Sequence, residues 1–347
     1  MTGAEFIVEW SRTRVVFGAG SVERLGAELD ILELTRALLV TTPRRDPTTE
    51  HVRAELGDRL AGACDIAAMH VPADRVQRAV ADVDRIRPDA LLAVGGGSAT
   101  GLAKAIARER ALPIVVVPTT YSGSEMTSIW GTTSGDRKTT GRDAAVAPRL
   151  VIYDPVLTLS LPVHTSAASG MNAMAHAVEA LYAPRASPIA DATAEEAVRT
   201  LGRALPMIVA SPRDLDARTQ ALRGAHAAAM ALELASMGLH HKLCHVLGGF
   251  GLPHAATHAA LLPHVVAFNA PAAPDAMARV AAALGVSDAA AGLRALNDTL
   301  GLTMSLGALG LKEADVQRAA DAIGAATFPN PRAATPDAVR QLLLDAL

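Results

Sequence analysis

Through about the first 155 residues, short apolar runs alternate with stretches of helical period. Arg14-Val15-Val16-Phe17, Ala37-Leu38-Leu39-Val40, Ala90-Leu91-Leu92-Ala93-Val94 and Pro113-Ile114-Val115-Val116-Val117 read as buried strands. Val151-Ile152-Tyr153 reads as a last short strand, ended by Asp154-Pro155. Between several of them lie amphipathic segments, among them Val76 to Arg87. Such alternation predicts an α/β domain with a largely parallel sheet covered on both faces. After Leu161-Pro162 the period changes. Ala-, Leu- and Met-rich helical patterns take over, broken by prolines such as Pro188, Pro212, Pro253 and Pro274. The expected organisation is an α/β domain over residues 1–158 and an all-α domain over 159–347.

Composition agrees with two packed cores. Half of the 347 residues are hydrophobic and 19% are charged, which excludes a disordered chain. A net charge of −3 and an aromatic content of 3% argue against a nucleic-acid or membrane partner. The two cysteines, Cys64 and Cys244, are far apart and fit a reducing compartment. The N-terminus lacks the apolar core of a signal peptide, and the Ala-rich segment at 225–239 is interrupted by His226 and Glu233. A cytoplasmic protein is expected.

The strand ending at Val94 runs into Gly95-Gly96-Gly97-Ser98 and then a helical segment from Ala99. Glycines admit close approach of backbone amides to a pyrophosphate, and the helix N-terminus adds unpaired N–H groups. The same turn without a ligand is the plain alternative. Gly18-Ala19-Gly20 is a weaker copy of the pattern, and Pro118-Thr119-Thr120-Tyr121-Ser122-Gly123-Ser124 is a hydroxyl-rich loop after another strand.

Seven of the eleven histidines fall between His226 and His264. His241 and His245 stand four residues apart on one predicted helix, as do His254 and His258 on the next and Asn172 and His176 upstream. Such a set can hold a metal or supply acid–base groups. An Asp at 172 would be an anionic ligand, whereas Asn172 offers only a neutral amide oxygen.

RVVFGAG, GGGSATGLAKA, PTTYSGSEMTSIWG, TTGRD, VIYDP, GMNAMAHAVEALY, HHKLCHVLGGFGLPHAATHAALLPHVVAFN and FPNPR occur in this order. With them the chain resembles the iron-containing (group III) alcohol dehydrogenases, and within these the maleylacetate reductases. The resemblance implies a dehydroquinate synthase-like fold, with a dinucleotide-binding α/β domain and an all-helical catalytic domain. It places NADH or NADPH against Gly95, Gly96, Gly97, Ser98, Thr119, Thr120, Ser124 and Lys138. Metal-using members have an Asp and three His at the positions of Asn172, His176, His241 and His254. With the Asp missing, the expected reaction needs no metal; if one is kept, its ligands are His176, His241 and His254. The loop between His245 and His254 is one residue shorter than the family's, and Ala256 replaces a frequent Glu.

The implied reaction is reduction of the C=C bond of maleylacetate, an enone dicarboxylate, to 3-oxoadipate in aromatic-compound breakdown. His241, His245 and His254 are expected to stabilise the substrate oxyanion and deliver the proton, with Asn172 and His176 orienting the substrate. Tyr121, Arg142, Lys242 and Arg332 are the candidate substrate contacts, the cations for the two carboxylates. Thr41-Thr42-Pro43-Arg44-Arg45, which follows Val40, contains no acidic residue, and Arg44 or Arg45 can meet a 2′-phosphate, so both NADH and NADPH are expected. A homodimer follows from the resemblance alone. Two other readings are a metal-dependent (iron or zinc) alcohol or polyol dehydrogenase and a non-catalytic nucleotide-binding regulator.

Overall fold

The computed structural model describes residues 12–44, 46–135, 137–184 and 187–347. They form two compact units, one ending at Leu161 and the other starting at Pro162.

The first unit holds strands β1 (Arg14–Phe17), β2 (Ala37–Val40), β3 (Leu60–Cys64), β4 (Ala90–Gly95), β5 (Ile114–Pro118), β6 (Ile129–Ser134), β7 (Arg137–Arg142) and β8 (Leu150–Tyr153). Its helices are α1 (Leu25–Ile31), α2 (Pro47–Leu56), α3 (Ala73–Ile86) and α4 (Gly97–Arg110). Six strands make a parallel sheet in the order β1-β8-β5-β4-β2-β3. Apolar runs become its centre because both faces are covered: every residue of β2 and of β8 is buried. Connections run one way from β2 to β3 and the other way from β4 to β5, so the order switches between β2 and β4. In sheets of this kind ligands bind beyond the carboxyl ends of the strands at such a switch. Thr41-Thr42 and Gly95-Gly96 occupy that place.

Three strands were not foreseen. β3 is LAGAC, too small and too little branched to read as a strand. β6 and β7 form an antiparallel hairpin of polar sequence, held by cross-strand pairs such as Gly131 with Thr140.

The second unit is helical among its described residues: α5 (Val163–Tyr182), α6 (Pro188–Ala210), α7 (Leu215–Leu234), α8 (Leu239–Gly249), α9 (His254–Asn269), α10 (Pro274–Leu284), α11 (Ala289–Thr299), α12 (Glu313–Gly324) and α13 (Pro336–Asp345). Ser187, Asp214, Asp288 and Thr335 cap their helices by accepting a backbone N–H. Residues 274–299 are apolar enough to cross a membrane by composition, yet the turn at Gly285, with φ +74°, breaks them into α10 and α11.

Helix α5 decides where the chemistry lies. Every residue from Ser166 to Leu181 is buried, against α6, α7 and α9. A helix enclosed all round should be apolar all round. Asn172, His176 and Glu179 break that rule on one face, and buried polar groups need partners. Helix α8 lies alongside α9; it buries Leu239, Leu243 and Leu247 in the core with Val265 and Ile323, and its histidines lie off that apolar stripe.

Candidate active site

The glycine loop is built by two neighbouring strands. Gly95 pairs with Pro118 in register, and the Thr119 amide donates to the Gly95 carbonyl at 3.0 Å. Gly95 has φ +137°, a conformation that side chains disfavour. A Cβ on Gly96 would stand 2.8 Å from Thr120 Oγ1, so only glycine lets the two loops approach. No side chain caps α4, whose first turn contains Gly97 and Ser98. A strand-to-helix turn with bare N–H groups and no side-chain obstruction fits a pyrophosphate.

Thr119 and Thr120 are half-buried beside this turn, and Ser124 follows in the same loop. Lys138 lies on β7, where its charge adds to burial in lowering the pKa of His70. Arg44 is exposed just after β2, and Arg45 lies outside the described residues.

Beneath this loop sits a polar core that the sequence did not announce. Lys104 of α4 is 0% exposed and donates to the carbonyls of Ser124 and Thr127, both at 2.6 Å, and of Ile129 at 2.8 Å. Glu125, also buried, accepts from Tyr153 Oη at 2.9 Å, and burial pushes its carboxyl pKa up. Tyr121, expected to touch substrate, is instead 0% exposed: its loop turns the ring inward.

In the second unit three helices bring six imidazoles together. His176 of α5 stacks on His241 of α8, with centroids 4.7 Å apart and planes 22° apart. His241 meets His258 of α9 edge to face at 4.7 Å, and His258 meets His254 at 4.5 Å. His245 stacks on His254 at 6.3 Å, and His240 Nε2 hydrogen-bonds His258 Nδ1 at 2.9 Å. His240 and His258 are wholly enclosed, His176 and His241 nearly so, while His245 and His254 are half-buried. The cluster thus runs from dry interior to surface.

Its charge balance is simple. Burial, reinforced by neighbouring imidazoles, holds His176 and His258 far below the usual histidine pKa. Burial likewise brings His240 down to about 3, so all three are neutral near pH 7. The anion is Glu179. Burial pushes its carboxyl up, but the facing His241, helped by His240, outweighs this and leaves its pKa below the usual value. Its carboxylate accepts from His241 Nδ1 and from the His240 amide at 2.9 Å. His241 Nε2 and His176 Nδ1 have no hydrogen-bond partner among the described residues.

Comparisons with known proteins identify the family. Residues 12–155 match the model for iron-containing alcohol dehydrogenase, and residues 166–347 match the C-terminal model of the Fe-containing alcohol dehydrogenase family. The chain belongs to the iron-containing alcohol dehydrogenase family. Within it, a maleylacetate reductase of Burkholderia cepacia is 49% identical over 97% of this chain and 96% of its own length. A second, from Sphingobium indicum, is 48% identical over 99% and 97%. The crystal structure of maleylacetate reductase from Agrobacterium tumefaciens superposes with a TM-score of 0.94 at 43% identity, covering 99% of this chain and 98% of that one. The family and fold drawn from the motifs are therefore those found.

Against the family's metal positions, this chain shows a changed donor set. Asn172, on the buried face of α5, offers a neutral amide oxygen and not the carboxylate that the resemblance leads one to expect of a metal user. Among the described residues, the ligand-type atoms that all come within 4.8 Å of one another belong to His240, Cys244 and His258, not to His176, His241 and His254. In that trio the two imidazoles already bond each other, and the outer nitrogens, His240 Nδ1 and His258 Nε2, lack the partners that orient metal-bound histidines.

The expected substrate cations are scattered. Lys242 is half-buried on α8 beside His241, and Arg142 ends β7. Arg332 is exposed and donates to the Phe268 carbonyl at 3.0 Å, its guanidinium 4.2 Å above that residue's ring. Phe268 lies ten residues beyond His258 on α9, about 15 Å along the helix. Arg332 lines a different cavity of about 500 Å³, with His264, Arg294 and Asp345. Sequence reasoning missed Glu179, although it lies three residues after His176 and seven after Asn172, on their helical face.

Proposed function

We propose that this chain reduces the carbon–carbon double bond of maleylacetate, giving 3-oxoadipate, with NADH or NADPH as reductant. The observation that carries the reading is the imidazole cluster around His241, with Asn172 in place of the carboxylate ligand. Relatives similar over nearly the whole chain and named maleylacetate reductase support it.

The glycine loop and Thr119, Thr120, Ser124 and Lys138 hold the dinucleotide, whose nicotinamide supplies a hydride when bound. The remaining work falls to the histidines. Reduction of an enone places negative charge on the ketone oxygen and requires a proton at carbon. To serve that oxygen His241 Nε2 must itself carry a proton, and it is the ring nitrogen left to take one from the solvent-facing imidazoles and pass it on, because Nδ1 is engaged by Glu179. His245 and His254, nearer the surface, are placed to exchange protons with solvent, and His176 orders the ring of His241 by stacking on it. Lys242 directly follows His241 in the chain and answers a substrate carboxylate. In this reading no metal is required, and the enzyme is a cytoplasmic homodimer.

A metal-dependent alcohol or polyol dehydrogenase is the second reading, favoured by the family's iron use and by the converging His240, Cys244 and His258. One assay separates them. Purified protein, NADH and maleylacetate are mixed and the nicotinamide absorbance followed, with and without chelator. Consumption of NADH that survives chelation is expected. Stoichiometric iron or zinc, with activity lost on chelation, would favour the second reading; no turnover of any enone or aldehyde would overturn both.

A further inference from the structure

The geometry points to Glu179 as a positioning residue that fixes the proton of His241 on Nδ1 and so keeps Nε2 as the working nitrogen. This rests on the proposed function for its kinetic consequence but not for its structural one.

Glu179 reaches across from α5 to the first turn of α8. Its Oε1 accepts from the His240 amide at 2.9 Å and from Tyr182 Oη at 3.2 Å. Its Oε2 accepts from His241 Nδ1 and, at 3.4 Å, from the His241 amide. A carboxylate only accepts, so the shared proton with the ring belongs to Nδ1. The carboxylate thereby supplies the cap that α8 lacks from its own chain, since Gly238 gives no side-chain cap. Gly238 is also what lets it in: a Cβ there would stand 3.2 Å from Glu179 Oε1 and 2.9 Å from the Pro329 carbonyl.

Two functions meet in one side chain, and a substitution separates them. In Glu179→Gln the amide oxygen can keep the His240 cap, while its NH₂ can only donate. Facing Nδ1, it would draw the ring proton to Nε2. Glu179→Asp keeps the charge but is one methylene shorter.

The experiment has two arms on the full-length protein. Nitrogen-15 histidine NMR reads which ring nitrogen of His241 is protonated, assigned by comparison with His241→Ala. Steady-state kinetics with NADH and maleylacetate read kcat and the KM for NADH. Expected are Nδ1 protonation in the wild type, a move to Nε2 in Glu179→Gln, and kcat lowered about 100-fold. KM for NADH should stay within about threefold, with partial recovery in Glu179→Asp. An unmoved proton in Glu179→Gln, or unchanged kcat in that variant while His241→Ala is inactive, would overturn the inference and leave the proposed function standing. Should Glu179→Gln not fold, the wild-type spectrum and Glu179→Asp decide: a proton on Nε2 in the wild type, or Glu179→Asp with wild-type kcat despite a displaced proton, also overturns it. If the wild type does not reduce maleylacetate, the proposed function falls and the NMR arm still tests Glu179.

Discussion

The Lys104 ammonium is 2.6 Å from the Thr127 carbonyl oxygen and 3.0 Å from the same residue's hydroxyl, in a pocket with no solvent exposure. A buried charge persists only when its donors are all used. Here it ties α4, the helix that opens at the glycine loop, to the loop carrying Ser124. Lys104→Met removes the charge and leaves at least three carbonyls short of a donor. A loss of about 3 kcal/mol in unfolding free energy is expected, with weaker NADH binding. Denaturant melts and calorimetric titration check both; unaltered stability would mean the pocket admits water.

Gly96→Ala probes the cofactor loop more locally. The new Cβ would lie 2.8 Å from Thr120 Oγ1, so the threonine must swing away or the loop must open. Affinity for NADH should fall roughly tenfold, or ~1.4 kcal/mol, while the melting temperature changes little. Equal NADH affinity in the two proteins would argue that the dinucleotide does not use this turn.

Acid sensitivity should centre on Glu28. This carboxylate is 1% exposed and accepts from Arg14 Nε at 2.5 Å and Arg24 Nη2 at 2.9 Å. The Arg14 hydrogen bond holds its pKa below the usual value, against the opposing effect of burial and with help from the charges of both arginines. A depressed folded pKa contributes stability that is complete above the unfolded value of about 4.3 and is lost as pH falls through the folded one. Glu28→Gln should therefore melt lower than the wild type at pH 7, with the gap shrinking as the pH is taken below about 4. A gap independent of pH would show that the ion pairs carry no linkage.

Arg332→Ala should separate motif membership from substrate contact. Its guanidinium is committed to the Phe268 ring and carbonyl, away from the imidazoles. KM for maleylacetate should stay within about threefold, with a stability loss of about 1 kcal/mol from the exposed cation–π contact and hydrogen bond. A large rise in KM would restore Arg332 to the substrate site.

What was legible followed from local rules. The strands β2, β4, β5 and β8 stood out because central parallel strands are apolar along their whole length, and the edge strand β1 was legible from its short Val15-Val16-Phe17 run. Strand β3 and the β6–β7 hairpin did not, because small and polar residues enter a sheet only when neighbours pair with them. His241 and His245 were readable as one face of a helix, since a spacing of four residues needs no knowledge of the rest of the chain. The burial of Tyr121 and the seat of Arg332 on the Phe268 ring were not legible, because a residue type says nothing of which way its side chain finally points.

By itself, then, the order of residues determined the two periods, the glycine turn between strand and helix, and the supply of imidazoles. Folding alone decided which polar groups went inside and what answered them. Glu179 meets His241 across 62 positions, and Lys104 meets Ile129 across 25. Pairings at such separations depend on how helices and loops pack, and in a medium that excludes water those pairings set protonation and charge.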